Sequence, residues 1–314
     1  MQLDQFRANG KLLITGEYFI LDGAIALAVP TLLGQTLKVH KHNIREETFT
    51  WSSFDNDGKC WFEGQFKKNN FESIHNSDSS IANRLNEILN STAALNSNFV
   101  TSCIHDISLI ETNLDFPRKW GLGTSSTLIA MIAKWADVDA YKLLAKTFGG
   151  SGYDLACAYA NKSILYQLPG PVVKSISFSP DFSDQIYFVY LNQKQNSREG
   201  IKDYRKIQRQ LHKEINTINA LTNEMINCQL QSEFARIIKE HEDLVSRTLK
   251  IERAKDLYFS DFPGEIKSLG AWGGDFVMVT CDRPMDWVKN YFHEKGKRVF
   301  KTYKNLIKED GLAK

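Results

Sequence analysis

Three glycine-bearing segments, Lys11 and a polar stretch after a strong strand carry the residues of this chain that could do chemistry. The first segment is Gly121-Leu122-Gly123-Thr124-Ser125-Ser126, followed by an apolar run from Thr127 to Val138. Small residues at a helix start let an anion approach backbone N–H groups, and the helix amino terminus adds the positive end of a dipole. The hydroxyls of Thr124, Ser125 or Ser126 can bind a phosphate oxygen or Mg²⁺. No Gly-Lys-Ser/Thr follows, so this is not a Walker loop. The alternative is a tight turn with a serine cap.

The second segment, Gly150-Ser151-Gly152-Tyr153-Asp154, puts a carboxylate after a glycine turn at a helix start. Asp154 either complements the helix dipole, or orients a hydroxyl, accepts its proton or anchors a cation. The third, Gly270-Ala271-Trp272-Gly273-Gly274-Asp275, precedes a β-rich run. It is either a bend with close backbone approach or a wall on which substrate lies against bare backbone, through Gly270, Gly273 and Gly274. Lys11 follows Gly10 and precedes Leu-Leu-Ile, which makes it a surface cation or one aimed into a site. Lys194, Ser197 and Arg198 follow a strong strand, as a solvated loop or as a binder for an anionic substrate.

These segments need elements to hold them. Lys11–Thr15, 36–40, 49–53, 60–66, 100–109, 164–167, 172–178 and 186–191 read as strands. Asp55-Asn56-Asp57-Gly58 is a hairpin signal. Helices are expected over 81–89, capped from within 76–80, and over 127–138, 139–147, 153–160 and 284–295. The run 127–138 is apolar almost all round and should be buried. From Glu199 to Leu249 the chain is charged and periodic, as two or three amphipathic helices. The change from β-rich to helix-rich at 181–184 divides it into 1–183 and 184–314.

Composition narrows the functions. The 314 residues are 42% hydrophobic and 24% charged, as in globular proteins, which excludes disorder and fibrous folds. The 39 Lys+Arg nearly cancel the 37 Asp+Glu, so no cationic field draws nucleic acid or a membrane surface. The five cysteines are widely spaced, with no Cys-x-x-Cys pair, and the first residues lack the order of a signal peptide. A cytoplasmic, reducing setting is expected, with no nucleic-acid or membrane partner.

Four segments in this order resemble the GHMP kinases, the superfamily of galactokinase, homoserine kinase, mevalonate kinase and phosphomevalonate kinase. The stretch 8–18 with 21–27 resembles the family's first motif. Trp120 to Ser126 resembles its phosphate loop, and Gly150 to Asp154 the segment of the catalytic aspartate. Lys267 to Asp275 resembles the third motif. In detail they lean toward phosphomevalonate kinases. Gly16-Glu17-Tyr18 stands where mevalonate kinases have Gly-Glu-His, and Leu143 where they carry an Mg²⁺-binding Glu. Asn9, Thr124, Thr127 and Trp272 depart from the family pattern.

The resemblance implies an α+β fold of two domains, an amino-terminal βαβ-type domain and a ferredoxin-like carboxy-terminal one. It implies ATP over Gly121, Leu122, Gly123, Thr124, Ser125 and Ser126, with Mg²⁺ on Ser125 and Thr124 the second choice. Lys11 and Asp154 are then the catalytic pair, Lys11 favouring the ionised Asp154. Lys194, Ser197, Arg198, Gly270, Gly273 and Gly274 are expected on a small acidic acceptor, phosphomevalonate or mevalonate. Trp272 is expected to narrow the acceptor pocket.

Overall fold

The computed structural model describes residues 2–41, 46–193, 197–207, 210–270, 272 and 274–309. The chain divides into two compact units. One comprises 1–10, 33–118 and 122–159, the other 11–32, 119–121 and 160–314. Two long strands, β1 (Gln2–Leu13) and β2 (Ala26–Lys41), pass from one to the other.

In the first unit the later half of β2 pairs with β6 (Ile107–Leu114), and the sheet continues through β3 (Thr48–Phe54), β4 (Cys60–Lys67) and β5 (Ser73–Asn76). Only the β3–β6 pair among these is parallel. The crossover between them carries α1 (Ser79–Leu95), which Asp78 caps by accepting from the amides of Ser80 and Ile81. Asp139 does the same for α3 (Ala140–Thr147), accepting from Tyr141 and Lys142. Between them lies α2 (Thr124–Trp135), and α4 (Tyr153–Tyr159) packs on it. The apolar run read from the sequence does lie inside: Ile129, Ala130, Met131, Ile132 and Ala133 are all buried. They join Phe49, Trp51, Phe66, Phe99 and Leu143 in one core.

The expected strand 100–109 is wrong in its first half. Val100–Ile104 is a π-helical turn, and the strand starts at Ile107. The Asn98 amide donates to Asn96 Oδ1, and Thr101 and Ser102 hydroxyls donate to the Asn98 carbonyl. Local side-chain bonds of this kind compete with a ladder, and they win here over β-branched propensity.

In the second unit the first half of β2 pairs with β7 (Ile164–Gln167), which pairs with β8 (Val172–Ser175). A four-stranded antiparallel sheet is built from β9 (Ile186–Tyr190), β10 (Glu265–Ser268), β11 (Phe276–Thr280) and β12 (Phe300–Thr302), in the order β10-β11-β9-β12. Between β9 and β10 run α5 (Ser197–Arg205), α6 (His212–Asn227), α7 (Gln231–Leu249) and the short α8 (Ala254–Tyr258). Helix α9 (Met285–Glu294) links β11 to β12, and α10 (Tyr303–Leu306) follows. This double split β-α-β is the ferredoxin-like arrangement. Among the described residues the charged stretch 199–249 thus holds three helices. No helix of the described residues is long and apolar enough to cross a membrane.

Candidate active site

The glycine loop before α2 leaves backbone donors open. Gly123 is the helix cap, with φ 95°, and no side chain among the described residues bonds to the first-turn amides. Leu122 is buried and anchors the loop. Of the hydroxyls, that of Ser126 donates to the Gly123 carbonyl at 2.8 Å, and its residue is buried. The Thr127 hydroxyl is buried against Gln35, whose Oε1 accepts from it at 2.6 Å. Those two hold the turn. Thr124 is half-buried and Ser125, in the first turn of α2, is exposed.

Asp154 lies in the first turn of α4, half-buried, with Oδ1 accepting from the Leu155 amide at 3.0 Å. The glycines before it have φ of 66° at Gly149, 99° at Gly150 and 85° at Gly152. A Cβ at Gly149 or Gly150 would meet nothing, so it is the backbone conformation that requires glycine there. Asp154 is close enough to Tyr141 for its charge to matter: burial first, then the Asp154 carboxylate, push the Tyr141 phenol up. Leu143 is fully buried in the core.

The other predicted residues fall in the second unit. Lys11 is half-buried near the end of β1, just before buried Leu12, Leu13 and Ile14. Gly121 has φ 68°, and Asp275 lies against it. Gly270 has φ 66° and Gly274 is buried; Gly273 and Lys194 lie outside the described residues. Ser197 and Arg198 form the start of α5. That helix approaches the first-motif turn so closely that a Cβ on Gly200 would sit 2.3 Å from the Tyr18 hydroxyl.

Trp272 does not line an open cleft within its unit. It is 4% exposed and packs with Tyr18, Phe19, Tyr204, Ile218 and Val245. Its backbone hydrogen-bonds the Tyr18 hydroxyl. Trp272, which departs from the family pattern, and Tyr18, which stands where mevalonate kinases have a histidine, therefore belong to one packed cluster.

Sequence reasoning missed a buried ionic cluster. Lys267 Nζ lies 2.5 Å from Glu17 Oε1 and 3.3 Å from Glu242 Oε1, and His241 Nε2 is 3.4 Å from Glu17 Oε2. All four side chains are at most 1% exposed. Burial pushes the Glu17 carboxyl up and the Glu242 carboxyl to about 7, against the pull of Lys267. Burial and then Lys267 hold the His241 imidazole well below its usual value. A signal did exist: Phe234, Ile238, His241, Val245 and Thr248 fall on one helical stripe, so His241 occupies a core position of α7.

No family model matches the sequence, and no curated protein matches it. Solved structures do match along nearly the whole chain. The mevalonate kinase of Methanococcus jannaschii is similar with a TM-score of 0.68 at 14% identity, over 96% of this chain and 98% of that one. The phosphomevalonate kinase of Streptococcus pneumoniae in complex with phosphomevalonate and AMPPNP gives 0.66 at 14%, over 96% and 100%. The galactokinase of Lactococcus lactis complexed with galactose gives 0.67 at 10%, over 98% and 95%. The overall fold is thus shared with sugar and mevalonate kinases alike: this chain has the GHMP kinase fold.

Proposed function

We propose that this chain is a kinase that transfers a phosphoryl group from Mg-ATP to a small acidic acceptor, 5-phosphomevalonate. The observation that carries the reading is the start of α2. A glycine cap leaves the first-turn amides without a side-chain partner among the described residues, and Ser125 is exposed beside them, on a fold shared with kinases. Such a helix start suits an anion.

Phosphoryl transfer needs positioning and charge neutralisation more than covalent work by the protein. The amides of Thr124, Ser125 and Ser126 hold phosphate oxygens, and the bare α-carbon of Gly123 lets them approach. Ser125, with Thr124 second, offers the hydroxyl for Mg²⁺, which takes few protein ligands when phosphates share it. Bound Mg-ATP supplies the transferable group and neutralises its charge. Lys11 adds positive charge near that group, and Asp154 orients the acceptor. Lys194, Ser197 and Arg198, with Gly270, Gly273 and Gly274, receive the acceptor's anionic end.

Two observations favour a phosphate monoester over mevalonate itself. Leu143 is fully buried where the resemblance puts the Mg²⁺-binding Glu of mevalonate kinases. Tyr18 is packed among aromatics where those enzymes have a histidine. A fold that binds nucleotide without catalysis is the reading of a different class, and the presence of both Lys11 and Asp154 speaks against it. The test is titration of a fluorescent ATP analogue against Gly123→Val and Asp154→Asn. Loss of binding in the valine variant, with binding kept in the asparagine variant, is expected; the reverse pattern in folded proteins rejects the phosphate placement.

A further inference from the structure

Four titratable side chains inside one unit are a costly arrangement unless every charge is met. Here one ammonium, Lys267, faces two carboxyls, Glu17 and Glu242. The Gly16 amide donates to His241 Nε2 at 3.3 Å, so this nitrogen is an acceptor and the imidazole is neutral. The cluster also grips backbone. Glu242 Oε2 accepts from the Ser268 amide at 3.0 Å, and Lys267 Nζ donates to the Ser268 carbonyl at 3.2 Å. Adjacent residues of α7 therefore hold two turns at once. His241 holds the turn that follows Lys11, and Glu242 holds Ser268, two residues before Gly270.

We infer that Lys267 is a positioning residue: with Glu17 and Glu242 it fixes the Gly16–Tyr18 turn and the root of the 270–275 loop in one geometry on α7. The inference rests on the kinase reading only in giving those two turns a part in the reaction. Apolar residues of the same volume would fill the space, but they tolerate sliding. The Lys267 ammonium, the Glu242 carboxyl and the Gly16 and Ser268 amides find their partners in this one arrangement, while Glu17 Oε2 and His241 Nδ1 are buried with no hydrogen-bond partner among the described residues; position is fixed at a cost in stability.

The test uses the full chain with Lys267→Met, which keeps the stem and removes the charge, and Glu242→Gln, which keeps shape and the acceptor for Ser268. Amide hydrogen exchange is followed at 16–18, at 268–270 and in β9, with turnover of 5-phosphomevalonate alongside. In Lys267→Met, exchange at both turns is expected to rise at least tenfold together while β9 is unchanged. The turnover number is expected to fall at least tenfold with little change in KM for ATP. Glu242→Gln should loosen Ser268 and Leu269 first, and it carries the test if the methionine variant does not fold. Equal acceleration in β9, or a response at one turn only, overturns the inference, and so does loosening of both turns with an unchanged turnover number. Absence of turnover in the wild type would reject the kinase reading and leave the exchange experiment to decide the coupling of the turns.

Discussion

The carboxylate of Asp275 lies against the α-carbon of Gly121: a methyl group built there would be 2.1 Å from Asp275 Oδ2. Asp275 has little room to yield. Its amide donates to the Gln193 carbonyl at 2.6 Å, its carbonyl accepts from Leu191 at 2.7 Å, and its φ is 50°. Gly121 itself has φ 68°. Gly121→Ala therefore meets two costs, roughly 1–2 kcal/mol for the left-handed backbone and a further steric term. Asp275→Gly in the same chain should return the steric term alone. In a denaturant double-mutant cycle the expected coupling is about 1 kcal/mol or more, and additivity would contradict the contact.

Trp272 gives a second prediction. Its ring is buried in the Tyr18 and Tyr204 cluster, and Nε1 is buried with no hydrogen-bond partner among the described residues. Trp272→Ala should cost about 3–5 kcal/mol of stability, as for emptying a core aromatic site. Trp272→Phe loses no hydrogen bond and should cost much less. Neither should change which acceptors are used, so a broadened acceptor profile with intact stability would return the ring to the pocket wall.

The ionic cluster makes stability depend on pH. The Glu242 carboxyl stands at about 7 in the folded protein, raised from an ordinary 4.5. The folded state therefore holds this proton more tightly than the unfolded chain. The contribution is complete below about pH 4.5 and is lost as pH rises through about 7. Glu17, also raised, has the same sign. His241 has the opposite one: its value is lowered, so its contribution is present above the ordinary 6.5 and lost on acidification. Whole-protein curves mix these, and the wild type minus Glu242→Gln isolates Glu242. That difference should decline steadily between pH 4.5 and 7 in urea unfolding. A flat difference would mean that Glu242 is ionised throughout.

How far the sequence reaches can be seen residue by residue. Helix α2 was legible because apolar residues surround it. The hairpin at 55–58 was legible from its turn residues, with Gly58 at φ 77°. The turn at 100–104 was not, since its side-chain bonds to Asn98 are invisible to a propensity argument. Strands β10 and β12 are only four and three residues long and owe their conformation to β11 and β9. The glycine loops and Asp154 stood out because their residue types are unusual together. Glu17 and Lys267 did not, because 250 positions separate them and a charged residue in sequence looks solvated until the fold buries it.

The most direct measurement is ATP-dependent phosphorylation of 5-phosphomevalonate and of mevalonate by wild type and Asp154→Asn, as pH–rate profiles. A phosphate monoester has a second pKa of about 6, so it is already mostly dianionic at pH 7 and needs no base. A mevalonate hydroxyl does gain from one, by roughly 10²–10⁴-fold. The account predicts turnover of 5-phosphomevalonate, with a rate that rises only up to the acceptor's own ionisation near pH 6 and an Asp154→Asn loss smaller than general-base catalysis would give. Efficient turnover of mevalonate and none of 5-phosphomevalonate would contradict the substrate, and no transfer to either would contradict the account at its centre.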